Sequence, residues 1–219
     1  MTNSEHSTSK ATLQTRSDVR LWANLCDIFT FIKQGLIAAK TTGTVAPSSR
    51  ALALYMVETS QLALARTIVE FGPGTGAITE VILENAASNS IFLAIEINPE
   101  FATALRKKYP ALHIFEDSAA NVQTHLNELG VNSCDCIISG LPWALFEEPL
   151  QTQILDAAWN VLAPGGRFVT FTYFFSLWTR GGKRFRHLLN ARFKNHVELS
   201  PIIWQNFPPA RVYCATKLD

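Results

Sequence analysis

The stretch VEFGPGTG at residues 69–76 decides the fold. It continues the short apolar run TIVEF (67–71), which reads as a buried strand, and it opens onto a helical pattern from about Ala77 to Ala87. Gly72 suits a tight turn, Gly74 lets a ligand approach the backbone, and Gly76 lets the helix meet the strand. Strand, glycine-rich turn and helix in that order make a nucleotide-binding loop. Alone, the pattern fits a dinucleotide, a flavin or a plain turn.

The flanking acids narrow the ligand. Glu70 sits on the strand just before the loop, and Glu96 ends the next apolar run, IFLAIEI (91–97), 20 residues after Gly76. That interval suits a carboxylate accepting from two ribose hydroxyls. Asp117 follows a third run, LHIFE (112–116), placed to accept from an adenine amino group with the backbone of Ser118 beside it. A carboxylate at each of three successive strand ends suits a sulfonium cofactor without phosphates, S-adenosyl-L-methionine (SAM). A pyrophosphate dinucleotide favours an uncluttered helix N-terminus instead.

Further along, DCIIS (135–139) reads as a fourth strand and RFVTFTY (167–173) as a fifth, after the turn APGG. VELSPIIW (197–204) and RVYCATK (211–217) read as a closing antiparallel pair, and a helix at about Pro99 to Lys108 separates strands two and three. This alternation predicts an α/β protein with a doubly wound, mostly parallel sheet. Upstream, Ser48 or Ser49 is placed to cap a helix running through about Leu64.

The first 17 residues are polar and rich in Ser and Thr, with no apolar signal-peptide core, and read as a disordered tail on a cytoplasmic protein. Residues 18–40 read as an amphipathic helix, with Leu21, Trp22, Leu25, Ile28, Phe29, Ile32 and Leu36 inside an arc of roughly 120°. Residues 41–219 then form the SAM-binding domain. No apolar run is long enough to cross a membrane. The four cysteines lack zinc-like spacing, so no metal site is expected and they read as small buried hydrophobes. Net charge is +1, which argues against a general nucleic-acid binder. The charge is uneven: Arg180, Lys183, Arg184, Arg186, Arg192 and Lys194 lie together with no acid between them.

Five segments in combination, VAPSSRALA (45–53), VEFGPGTG, ISGLPW (138–143), APGGRFVTFTY (163–173) and IWQNFPPARVY (203–213), resemble the bacterial phospholipid N-methyltransferases of the soluble, membrane-associating type. The resemblance runs from about residue 19 to 217. It implies a Rossmann-like class I SAM methyltransferase fold and stepwise methylation of phosphatidylethanolamine through its mono- and dimethyl forms to phosphatidylcholine. The family includes enzymes for other amine lipids such as ornithine lipid and borders the ribosomal RNA adenine dimethyltransferases, so those acceptors stay open. It implies that Glu70, Gly72, Gly74, Gly76, Glu96, Asp117 and Ser139 line the SAM pocket, and that Tyr173, Asn206 and Arg211 meet the lipid phosphate. Lys183 makes chemical sense as a fourth member of that clamp.

The acceptor end falls on SGLPWALF (139–146), where a glycine, Gly140, occupies the position usually held by Asn or Asp. Asn would grip a planar adenine amine, whereas glycine leaves backbone carbonyls and room for an alkylamine. Backbone acceptors at Ser139 and Gly140 are the expected proton relay, with Pro142 keeping the carbonyls of Ser139, Gly140 and Leu141 turned toward the acceptor. Trp143 is expected to offer a ring face to the methylated cation. The expected surroundings are a phospholipid substrate on an anionic membrane surface, at the inner face of the membrane, with no obligate protein partner. The helix at 18–40 and the basic stretch would make that contact.

Overall fold

The computed structural model describes residues 48–218. The helix expected over 18–40 and the polar tail before it lie outside those residues. The first described helix, α1 (Arg50–Ser60), is capped by Ser49, whose Oγ accepts from the Leu52 N–H at 3.2 Å. It buries Leu52, Ala53, Met56 and Val57 against the sheet.

Seven strands form one sheet in the order β3-β2-β1-β4-β5-β7-β6. β1 (Thr67–Phe71), β2 (Ile91–Ile95), β3 (His113–Phe115), β4 (Cys134–Ser139) and β5 (Leu162–Tyr173) are parallel. β7 (Ala210–Thr216) runs antiparallel to both β5 and β6 (Val197–Leu199). The intervening helices are α2 (Ala77–Asn85), α3 (Pro99–Lys108), α4 (Val122–Glu128), α5 (Glu148–Val161) and α6 (Arg180–Arg192). The expected strands are present within a few residues at each end, and each central one is apolar on both faces because helices cover both.

Two strands differ from expectation: β6 stops at Leu199 rather than running to Trp204, with an isolated Ile203–Ala210 bridge beyond it. β5 begins at Leu162, before the APGG segment, rather than after it. Its pairing with β4 jumps from Cys134↔Leu162 to Cys136↔Arg167, so the extra residues bulge out without ending the strand. Gly165 N–H donates to the Lys217 carbonyl and Lys217 N–H to that of Gly166, which keeps the bulge tied to the end of β7.

Side-chain alternation sorts the core into two layers. Ile68, Cys136, Ile138, Val169, Val212 and Cys214 pack toward α1 and α2. Phe168 and Tyr213 point the other way, where Trp143, Phe185 and Phe193 form an aromatic stack beneath α6. β1 and β4 are neighbours although the chain visits β2 and β3 between them. The crevice at the carboxyl ends of these two strands is the switch point at which doubly wound sheets bind ligands.

Candidate active site at the carboxyl rim of the sheet

The loops after β1, β2, β3 and β4 are stitched side by side. Gly72 N–H donates to the Ile95 carbonyl at 2.9 Å, Gly140 N–H to Phe71 at 2.8 Å and Asp117 N–H to Glu96 at 3.2 Å. The strand ends thus deliver Glu70, Glu96, Asp117 and Ser139 to one rim, as the register requires.

Gly74 has φ +56° and nothing within 4 Å of where a Cβ would stand, so its backbone faces open space, as a ligand-facing position should. Gly76 differs from expectation: a Cβ there would stand 2.9 Å from Leu105 and 3.2 Å from Tyr109, both of α3 or its end. It lets helix meet helix rather than strand. Gly72 would drive a Cβ into the Leu141 side chain at 2.7 Å, so it packs the glycine loop against the loop after β4.

Glu70 is fully buried, with Oε2 accepting from Thr79 Oγ1 at 2.7 Å and Oε1 without a partner. Burial pushes its carboxyl up to about 8, against the pull of the Thr79 bond and with a further push from the Glu96 charge. Such an orphaned acceptor fits a cationic ligand group. Glu96 accepts from Gly74 N–H at 2.9 Å and Asn98 N–H at 2.8 Å, and burial raises its carboxyl above the usual range despite those bonds. Each Glu96 oxygen keeps a lone pair for a hydroxyl. Burial pushes the Asp117 carboxyl up, but bonds from Ser118 N–H, Asn121 and His125 outweigh it and leave it lowered. His125, absent from the sequence expectation, stands 2.8 Å from Asp117 Oδ2 and stacks on Phe115 with ring centroids 4.2 Å apart. Together the open Gly74, the orphaned Glu70 oxygen and the held carboxylates fit SAM.

The acceptor loop departs more from expectation. Ser139 is fully buried; its carbonyl accepts from Thr170 Oγ1 at 2.9 Å and its Oγ from Trp143 Nε1 at 3.1 Å. The Leu141 carbonyl accepts from Trp143 N–H at 2.9 Å. Of the three carbonyls expected to face the acceptor, two are therefore spent inside the fold, which leaves that of Gly140. Trp143 is only 2% exposed and stacks on Phe185 at 4.6 Å, with Phe146 and Phe168 at its edges. Its face is covered, so it is a core residue and not a cation binder. Nor does Gly140 leave room, because a Cβ there would stand 2.7 Å from the Gly72 carbonyl oxygen.

The loop is held instead by two side chains the sequence reading missed. Gln151 of α5 is fully buried and donates to the Trp143 carbonyl at 2.6 Å and to Gly181 at 3.2 Å. Arg184 of α6 donates through Nε to Gln151 Oε1 at 2.9 Å and through Nη2 to the Phe146 carbonyl at 2.6 Å. A Cβ on Gly181 would collide with the Ala144 carbonyl, so the start of α6 seats directly on this loop.

The four residues of the expected phosphate clamp are not brought together. Thr172 pairs with Arg211 and Tyr173 with Ala210, so Tyr173 and Arg211 point to opposite faces of the sheet. Asn206 is 2% exposed, its Oδ1 accepting from Ser49 N–H at 2.8 Å and its Nδ2 donating to Pro208 at 2.7 Å. It pins the loop before β7. Arg211 donates through Nε to the Ser200 carbonyl at 2.6 Å. Lys183 stands exposed on the first turn of α6.

Sheet order, glycine loop and strand-end acids define a class I methyltransferase fold, and SAM is the cofactor. The protein is a SAM-dependent methyltransferase: a family profile described as a methyltransferase domain matches residues 69–170. It is 28% identical over 190 residues to the ornithine lipid N-methyltransferase of Singulisphaera acidiphila, covering 85% of this chain and 94% of that protein. It is 29% identical over 108 residues to the ribosomal RNA small subunit methyltransferase A of Chlorobium phaeobacteroides, covering 49% of this chain but 39% of that protein. Among solved structures, the O-methyltransferase from Bacillus cereus in complex with SAH superposes with a TM-score of 0.63 at 13% identity, covering 86% of this chain and 91% of that one. The N-methyltransferase NodS from Bradyrhizobium japonicum gives 0.57 at 15% identity over 78% and 96%.

Proposed function

We propose that the protein methylates the amine of a membrane lipid, phosphatidylethanolamine and its mono- and dimethyl forms, toward phosphatidylcholine at the inner membrane face. One observation carries the reading: the chain aligns along 94% of a lipid-amine N-methyltransferase but along only 39% of the ribosomal RNA enzyme it also resembles. That first relative also supports ornithine lipid as a second acceptor.

SAM supplies an electrophilic methyl on a sulfonium. The chain holds the amine near that methyl and orients the proton that the amine gives up to water. The Gly140 carbonyl is the acceptor left at the rim, anchored by the bond from its own N–H to Phe71. A carbonyl orients an amine proton without keeping it, so water finishes the removal, and desolvation at the rim favours the neutral amine. In this reading Lys183 and Arg180, exposed on the first turn of α6, supply the positive charge for the headgroup phosphate in place of Tyr173, Asn206 and Arg211.

An assay with methyl-labelled SAM and, side by side, phosphatidylethanolamine, its mono- and dimethyl forms, ornithine lipid and ribosomal RNA tests the proposal. Label in the phosphatidylethanolamine series supports it. Label confined to RNA ends it, and label confined to ornithine lipid selects the second acceptor.

A further inference from the structure

Among the described residues, all of the exposed Phe and Trp side chains fall in two neighbouring loops. Phe175 and Trp178 are 56% and 59% exposed in the turn after β5, and Trp204 and Phe207 are 69% and 63% exposed in the loop before β7. The loops are joined: Phe174 N–H donates to the Pro209 carbonyl at 2.8 Å, and Tyr173 stacks on Phe175 at 5.7 Å. Both lie at the carboxyl end of β5, three residues beyond the Thr170↔Ser139 pair, on the rim that carries the acceptor loop. That loop adds the half-exposed Leu145.

Charge follows the same edge. No acid occurs between Asp156 and Glu198, and the exposed bases Arg180 and Lys183 begin α6 directly after Trp178. The loop from Ser200 to Pro209 has no charge at all. Protruding aromatics on an uncharged loop, flanked by cations, match the layering of an anionic bilayer, in which rings reach the acyl boundary and bases meet headgroups. RNA would ask for bases along the whole rim, to meet phosphates beside each stacked ring. Among the described residues no helix is long and apolar enough to cross a membrane, so contact at this rim is peripheral.

We infer that the rim formed by Phe175, Trp178, Trp204 and Phe207 is a docking face for an anionic lipid bilayer, which seats the mouth of the active site on the membrane. The inference rests on the lipid-amine reading of that site and names the surface that reading needs. An acceptor lipid then reaches the Gly140 loop by rising a short way from the leaflet, and the enzyme need not extract it into water.

The test uses the full chain carrying Trp22→Phe and vesicles of phosphatidylglycerol and phosphatidylcholine, which contain no amine acceptor. Brominated acyl chains should quench its tryptophan fluorescence. Adding Trp178→Phe and Trp204→Phe should remove most of the quenching while vesicle binding persists. Replacing Phe175, Trp178, Trp204 and Phe207 by Ser should weaken vesicle binding about tenfold or more, with SAM affinity unchanged. Quenching that survives the Trp→Phe pair, or protection of these tryptophans by RNA but not by vesicles, overturns the inference. If the Ser variant misfolds and loses SAM, the conservative Trp→Phe pair still decides. Because these vesicles hold no substrate, failure to methylate any amine lipid would end the functional proposal and leave this result standing.

Discussion

The carbonyl oxygen of Gly72 occupies the space a Cβ of Gly140 would need, 2.7 Å from its ideal position. The glycine loop and the acceptor loop touch backbone to backbone, so cofactor and acceptor sites share a wall. Gly140→Ala and Gly140→Asn should both weaken SAM binding by about tenfold or more, since relieving the clash shifts Gly72. Calorimetric titration with SAM and chromatography of the methylated products check this. The ratio of mono- to fully methylated product should stay constant, because the side chain's effect runs through the cofactor loop.

Glu70 gives a pH signature. Its carboxyl is raised from 4.5 to about 8 in the folded protein, so the folded state holds the proton more tightly than the unfolded one. Its contribution to stability is fully present below pH 4.5 and is lost as pH rises through about 8. In the absence of SAM, Glu70→Gln should flatten that part of the profile and melt higher than wild type at pH 8.5. Binding of the cationic cofactor should expel the Glu70 proton. Calorimetry at neutral pH in two buffers of different ionisation heat measures the release, which Glu70→Gln should abolish.

Gln151 and Arg184 hold the acceptor loop from behind. Gln151→Leu strands the Arg184 Nε–H and frees the Trp143 and Gly181 carbonyls, at a cost of about 2–4 kcal/mol. Because neither residue touches the glycine loop, SAM affinity should hold while kcat falls. Arg184→Lys should keep less than half of the activity that Arg184→Ala loses, since a single ammonium lacks the fork that spans Gln151 and Phe146.

Trp143→Ala should cost about 3–5 kcal/mol in denaturant unfolding, as for a large buried ring. Trp143→Phe should leave the proportions of methylated products unchanged, which a cation-binding ring would not allow. Asn206→Ala should lower the melting temperature and leave SAM affinity unchanged, since both ends of its amide serve backbone partners away from the glycine loop.

The parallel strands were legible because each is an apolar run closed by a turn, and the three acids were legible because each stands at a strand end. What pairing alone decides was not. Tyr173 and Arg211 share a motif neighbourhood, yet the β5–β7 register puts them on opposite faces. Trp143 was misread because whether an aromatic ring is covered depends on Phe185, 42 residues away. Gln151 did leave a trace: it lies on the face of α5 that buries Leu150, Ile154, Leu155 and Ala158, where a polar residue is out of place unless bonded. His125 left none, since its meeting with Asp117 follows from how α4 leaves the loop.

The bond from Ser49 N–H to Asn206 Oδ1 joins the point where the chain enters α1 to the loop that carries Trp204 and Phe207. The start of α1 and the aromatic rim therefore hang from the same peg. A shift of α1 pulls at Asn206, and through it at the turn from Asn206 to Pro208. Mechanically, the helix and the rim are two ends of one lever, with its fulcrum in a buried amide.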